Sequence, residues 1–198
     1  MSKVMLPGTA GLLEARLTQG SCDAGTALCC HPHPLYGGSL DDQVVAILAD
    51  AVSQFSNVCM RFNFRGVGDS QGSHDAGQGE TDDVISACNW LEQEGNPVSI
   101  LGGYSFGASM ALAASAELDV QTLILIAPPL RQVMVLSERQ KQSDIVVVLG
   151  DQDSYMNIDA FSKTFGSEKI RIIAGADHFF MDHKVELTQI LKEFMDGS

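Results

Sequence analysis

An α/β architecture, built on a doubly wound and mostly parallel sheet, is the fold this sequence predicts. Short apolar runs alternate with helical patterns along the whole chain, which is the signature of strands joined by crossover helices. One of those runs passes straight into a glycine-flanked turn and then into a small-residue helix, at Pro97–Ala116. No internal repeat, low-complexity tract or linker divides the 198 residues, so a single domain over 1–198 is expected.

Taken in order, Leu12–Leu17 and Thr26–Cys30 read as the first strands, a hairpin with its turn in Gly20–Gly25. A helix over about Leu40–Phe55 follows from Val44, Ile47, Leu48, Ala51, Val52 and Phe55, which recur at helical spacing. Ser39 and Asp42 are placed to cap its start. Val58–Phe64 is the next strand, and a glycine-rich loop runs on to Gly79. The second helix, about Asp82–Glu94, opens with acidic residues and stops at Gly95-Asn96-Pro97. Val98, Ile100 and Leu101 form the strand before the turn Gly103–Gly107, and Ala108–Ala116 the helix after it. Strands Thr122–Ala127, Ile145–Leu149 and Lys169–Ile173 come next. The last helix carries Leu187, Ile190, Leu191 and Phe194 on one face.

Composition narrows the classes of partner. Hydrophobic residues make up 45% of the chain and the mean hydropathy is +0.08, ordinary values for a globular protein with a sizeable core. The net charge of -13 argues against nucleic acid and anionic membranes, both of which attract basic surfaces. No stretch approaches the roughly 20 apolar residues that span a bilayer, and Met1–Leu6 is too short for a signal peptide. Five cysteines without a C-x-x-C pair fit a reducing compartment, so a cytoplasmic location is expected. Neither cofactor nor metal is expected, and monomer and homodimer both remain open.

The chemistry lies in the turn Gly103-Tyr104-Ser105-Phe106-Gly107. A G-x-S-x-G match between a strand and a helix is a nucleophile hypothesis, because the strained turn projects the serine hydroxyl beyond the sheet edge. The amide of Phe106 opens the following helix, where free N–H groups favour developing negative charge. A serine needs an imidazole base and a carboxylate to orient it, expected here in the chain order Ser, Asp, His at strand ends. One strand ends in Gly150-Asp151-Gln152-Asp153 and another in Ala174-Gly175-Ala176-Asp177-His178. His178 is therefore the base, while spacing alone leaves Asp151 and Asp153 as competing acids. Asp177 is poorly placed to accept from its own neighbour, and His183 reads as a capping or solvated residue. A second match, Gly68-Asp69-Ser70-Gln71-Gly72, sits in a loop with no helix after it, so Ser70 reads as structural.

A further oxyanion donor is expected from the loop His31-Pro32-His33-Pro34-Leu35-Tyr36-Gly37-Gly38, where the prolines offer no N–H and stiffen the chain. A metal reading of His31-x-His33 lacks a third clustered ligand. Gly66-x-Gly68 has the wrong spacing for a dinucleotide loop.

These stretches resemble the α/β-hydrolase superfamily, and within it the small capless bacterial esterases related to dienelactone hydrolases. The resemblance covers nearly the whole chain. It is carried by H-P-H-P-L-Y-G-G at 31–38, R-F-N-F-R-G-V-G-D-S-Q-G at 61–72 and G-Y-S-F-G-A at 103–108, with G-D-Q-D at 150–153 and A-D-H-F-F at 176–180. It implies about seven or eight strands and a triad of Ser105, Asp153 and His178. It further implies an oxyanion hole from Phe106 and either Leu35 or Tyr36, and loop-shaping roles for Asn63 and Arg65. Where many relatives continue from the acid into a valine–proline turn, this chain reads Ser154-Tyr155-Met156-Asn157.

The connection Pro128–Asp144 is too short for a lid domain, so an open pocket is expected, lined by His33, Leu35, Tyr36, Phe106, Met134 and Phe179. The implied function is hydrolysis of small carboxylic esters. The same machinery would serve a thioesterase, lactonase or peptidase, and a non-catalytic binding protein is the alternative of another class.

Overall fold

The structure is a computed structural model that describes residues 2–22, 25–129 and 134–197. Among these residues an eight-stranded sheet runs in the order β1-β2-β4-β3-β5-β6-β7-β8. The strands are β1 (Ser2–Gly8), β2 (Gly11–Gln19), β3 (Thr26–Cys30), β4 (Val58–Phe62), β5 (Val98–Tyr104), β6 (Thr122–Ile126), β7 (Asp144–Gly150) and β8 (Ile170–Ile173). β1, β2 and β4 pair antiparallel in turn, and every pairing from β4 across to β8 is parallel.

Helices cover both faces. α1 (Gln43–Val52) and α6 (Lys184–Asp196) bury Val45, Leu48, Leu187 and Leu191 against one face of the sheet. α2 (Gln78–Gln93), α3 (Phe106–Ala114) and α5 (Ile158–Phe165) bury Val84, Leu91, Ala108, Ala111 and Phe161 against the other. With both faces covered, the central strands are nearly all apolar: β3 and β6 have no exposed position and one polar side chain each, Thr26 and Thr122. A short helix α4 (Glu138–Gln142) lies in the connection before β7, and residues 130–133 of that connection lie outside the described residues. No helix among the described residues is long and apolar enough to cross a membrane.

Two expectations at the start of the chain are corrected. β2 and β3 do not form a hairpin, because β4 lies between them. The connection wraps past the entry to β4, with Gly20 N–H on Asn57 O (2.7 Å) and Asn57 N–H on Gly25 O (2.9 Å). Strand β1, which the sequence reading missed, is the true hairpin partner of β2. It presents only Val4 and Leu6 inward, too sparse a pattern to read without its partner strand. Helix boundaries also shift. α2 begins at Gln78 because the Glu80 carboxylate reaches back to the N–H groups of Gly77 (2.8 Å) and Asp75 (2.9 Å). Asp42 caps α1 through the amides of Val44 and Val45, as its position implied.

The order β4-β3-β5 has a functional consequence. The chain leaves β3 to one side for β4 and returns to the other for β5, so the sheet reverses its winding between β3 and β5. Crevices of this kind, at the carboxyl ends of strands, are where open α/β sheets bind ligands. The loop after β3 and the turn after β5 both end there.

Candidate active site

Ser105 follows β5 and sits at the N-cap of α3 with φ 53° and ψ -119°. A left-handed backbone at a non-glycine residue is strained and needs its surroundings to enforce it. The neighbouring glycines are enforced by contact. A Cβ on Gly103 would lie 2.5 Å from the carbonyl carbon of Gly107, and one on Gly107 would lie 2.4 Å from the carbonyl oxygens of Cys30 and His31. Close packing of α3 on β3 and β5 thus fixes the turn, and Ser105 N–H is tied to Ile126 O at 2.8 Å.

Three side chains remote in sequence meet here. Ser105 Oγ lies 2.9 Å from His178 Nε2, and His178 Nδ1 lies 2.6 Å from Asp153 Oδ2. The Asp153 side chain is fully buried and that of His178 nearly so. Asp153 spends its other oxygen on the Tyr155 amide (2.8 Å). Asp151, its rival by spacing, accepts instead from the Gly175 amide at 2.7 Å and so ties together the loops after β7 and β8. Asp177 accepts from the amides of Phe179 and Phe180 and shapes the turn. His183 takes the N-cap position of α6 without a side-chain capping bond.

Tyr104 also holds the histidine loop, a role the sequence reading missed. Its hydroxyl donates to the His178 carbonyl at 2.9 Å. Burial, then the carboxylates of Asp42, Asp153 and Asp177, raise its pKa well above the usual phenol value, so it remains a donor. Nothing in the sequence pairs a residue of the turn with a carbonyl beyond β8.

The 31–38 loop packs against the same turn, with the His33 and Phe106 rings 4.8 Å apart. Within it, the amides of Tyr36, Gly37 and Gly38 donate to carbonyls of His33 and Pro34. The Leu35 amide instead donates to the His33 side chain, at 3.2 Å from Nδ1. Burial, reinforced by His74 and opposed by Glu80, lowers the His33 pKa, in keeping with the unprotonated Nδ1 that accepting this amide requires. His74 stands 4.9 Å from His33 ring to ring, and its Nδ1 lies 2.8 Å from Glu80 Oε1, within ion-pair reach though out of line for a hydrogen bond. Desolvation opposes ionisation of Glu80, but the amides of Asp75 and Gly77 outweigh it and lower its pKa.

His31 has both ring nitrogens committed, Nδ1 to Pro32 O (2.6 Å) and Nε2 to the Phe64 amide (3.0 Å). Burial lowers its pKa to about 4, so it is a neutral structural imidazole. Of the pocket residues inferred from sequence, Phe179 stands 5.5 Å from His178 ring to ring, and His33 adjoins Phe106. The Met134 amide is held by Thr164 Oγ1 (3.1 Å), in the last turn of α5.

The second G-x-S-x-G is structural. Ser70 is buried, donates to Asn63 O (2.7 Å) and accepts the Glu14 amide (2.9 Å). Asn63 bridges Leu40 N–H to Glu14 Oε2, and Arg65 forms a bidentate pair with Asp83, so both residues brace the loop.

The Glu14 pKa is lowered from 4.5 to about 2 by the Asp69 amide, then Lys3 and Asn63, against a desolvation cost. A depressed folded pKa contributes stability above the unfolded value that is lost as pH falls through the folded one. Denaturant midpoints measured from pH 5 down to pH 2 are therefore expected to fall, and Glu14→Gln to flatten that fall. An equally steep fall in the variant would place the acid sensitivity elsewhere. A cleft of about 370 Å³ between Leu17, Val58, Trp90 and Asn96 opens at the opposite end of the sheet, away from this chemistry.

No family model matches the chain. Individual proteins do. The structure of an α/β serine hydrolase homologue from Coxiella burnetii is 34% identical, with a TM-score of 0.84 over 97% of this chain and 96% of that one. A lidless α/β serine hydrolase from Xanthomonas campestris is 30% identical, with a TM-score of 0.86 over 99% and 94%. An uncharacterized protein of Rickettsia prowazekii is 29% identical over 212 residues, spanning 98% of this chain and 89% of that protein. Similarity at this level over nearly the whole of each chain, on a sheet of the same architecture, places the chain in the α/β serine hydrolase family, in its capless branch.

Proposed function

We propose that the protein is a serine esterase in which Ser105 is the nucleophile, His178 the general base and Asp153 its orienting carboxylate. The observation that carries this reading is the continuous line of hydrogen-bonding contacts from Asp153 Oδ2 through His178 to Ser105 Oγ. In the first step Ser105 Oγ bonds to the ester carbonyl carbon and its proton passes to His178 Nε2. The Phe106 amide and the 31–38 loop stabilise the oxyanion. Leu35 is the better second donor: its N–H rests on a side chain, His33 Nδ1, that can turn away, whereas the Tyr36 N–H is bonded to the His33 backbone carbonyl. Collapse of the tetrahedral adduct breaks the bond to the alcohol oxygen, which leaves with the proton from His178. Water, deprotonated by His178, then attacks the acyl-enzyme, and Ser105 recovers its proton as the acid departs.

A fluorophosphonate probe tests the assignment without knowledge of the substrate. Mass spectrometry is expected to find one adduct, on the peptide containing Ser105, and none on Ser70. An unlabelled protein, or labelling that survives Ser105→Ala, would remove the assignment.

A further inference from the structure

We infer that the alcohol side of this site is an aromatic subsite, formed by Tyr155 and Phe179, that selects esters of aryl-substituted alcohols. The inference rests on the esterase reading and adds the class of substrate. The chain has nine phenylalanines, three tyrosines and one tryptophan. Among the described residues the exposed aromatic side chains are Tyr36 (87%), Tyr155 (59%) and Phe179 (58%). Each stands beside a histidine of the candidate site or of the loop packed on it. Tyr155 stands 5.1 Å and Phe179 5.5 Å from the His178 ring, both edge-on, and Tyr36 stands 4.7 Å from His33, whose ring lies 4.8 Å from that of Phe106, the residue after Ser105. Aromatic surface left open to water and confined to the rim of a reactive serine marks the ground a ligand covers.

The side follows from the chemistry. His178 Nε2 must deliver a proton to the departing oxygen, so the alcohol lies against the histidine and hence beside Tyr155 and Phe179. Both rings ride on pinned backbones: the Tyr155 amide is held by Asp153 (2.8 Å) and the Phe179 amide by Asp177 (2.9 Å). A pre-set aromatic pair favours a flat ring over a saturated one of equal size, because edge-to-face contacts add to the area buried. The net charge of -13 favours an uncharged ring over one bearing a carboxylate.

Benzyl acetate and cyclohexylmethyl acetate, followed by titration of released acid, isolate this effect, since they differ in the ring alone. The expected result is a kcat/KM about tenfold higher for the benzyl ester, the worth of one or two ring contacts. In the double variant Tyr155→Ala, Phe179→Ala the ratio is expected to fall to about one, with fluorophosphonate labelling of Ser105 confirming an intact nucleophile. Equal rates in the parent protein would overturn the subsite, as would a preference that survives the double variant. A protein that labels at Ser105 but cleaves neither ester also overturns it and leaves the nucleophile standing. Failure to label at all removes the esterase reading itself.

Discussion

Ser105→Ala is expected to lower turnover of a short-chain ester by about a million-fold, the cost of removing the nucleophile from a triad that acts as a unit. The loss should appear in kcat, because the alanine takes away no contact that holds the ester before attack. Folding should survive. The left-handed backbone at residue 105 is enforced by the packing of Gly103 and Gly107 against α3 and β3, and the 105 amide keeps its bond to Ile126. Ser70→Ala provides the contrast. It deletes a buried hydroxyl that serves Asn63 and Glu14, so it should cost about 1–3 kcal/mol of stability and leave kcat near the parent value. Thermal melts beside initial rates separate the two. If Ser105→Ala retained turnover while Ser70→Ala lost it, the motif would have been assigned to the wrong copy.

That one copy can be set above the other at all depends on context. Both pentapeptides satisfy the pattern, but only the one at 103–107 lies between an apolar strand and a small-residue helix, and local sequence carries that information. The same is true of His178 and of the acidic pair at 151 and 153, each just beyond a run of aliphatic residues. What local sequence does not carry is lateral order in the sheet. Nothing in residues 12–30 records that β4 will enter between β2 and β3, because the pairing partner lies some thirty residues on and its place is set by crossover handedness. β1 is hidden for a related reason: an edge strand with two inward side chains has little periodicity of its own. Helix α5 was missed in the same way, since its eight residues give barely two turns of pattern. The contacts that position His178 were out of reach too. The bond from Tyr104 to the His178 carbonyl spans 74 residues and involves a backbone atom that every residue possesses.

The ambiguity between the two acids resolves into a second large effect. Asp153→Asn is expected to reduce kcat by about 10⁴-fold, while Asp151→Asn should leave it within a few-fold of the parent. Asp153 receives the Nδ1 proton of His178 at 2.6 Å, which leaves Nε2 unprotonated toward Ser105. Asparagine at 153 keeps the shape, but one atom of its amide is a donor. The Asp153 Oδ1 position already accepts the Tyr155 N–H, so the amide oxygen is drawn there and the NH₂ group turned toward the imidazole. The histidine must then carry its proton on Nε2, the wrong tautomer to accept one from serine. Asp151 accepts on Oδ1 from two amide donors, the Gly175 N–H and the Gln152 side chain, and the carbonyl oxygen of asparagine can serve both. The pair of variants thus differs by whether the carboxylate meets an imidazole or an amide, with size and location nearly matched. Rates for both on one ester decide the matter, with fluorophosphonate labelling kinetics as a check in which fluoride leaves and no proton need be delivered to a departing alcohol. A large loss in Asp151→Asn with little in Asp153→Asn would mean that the imidazole turns to the other carboxylate during reaction.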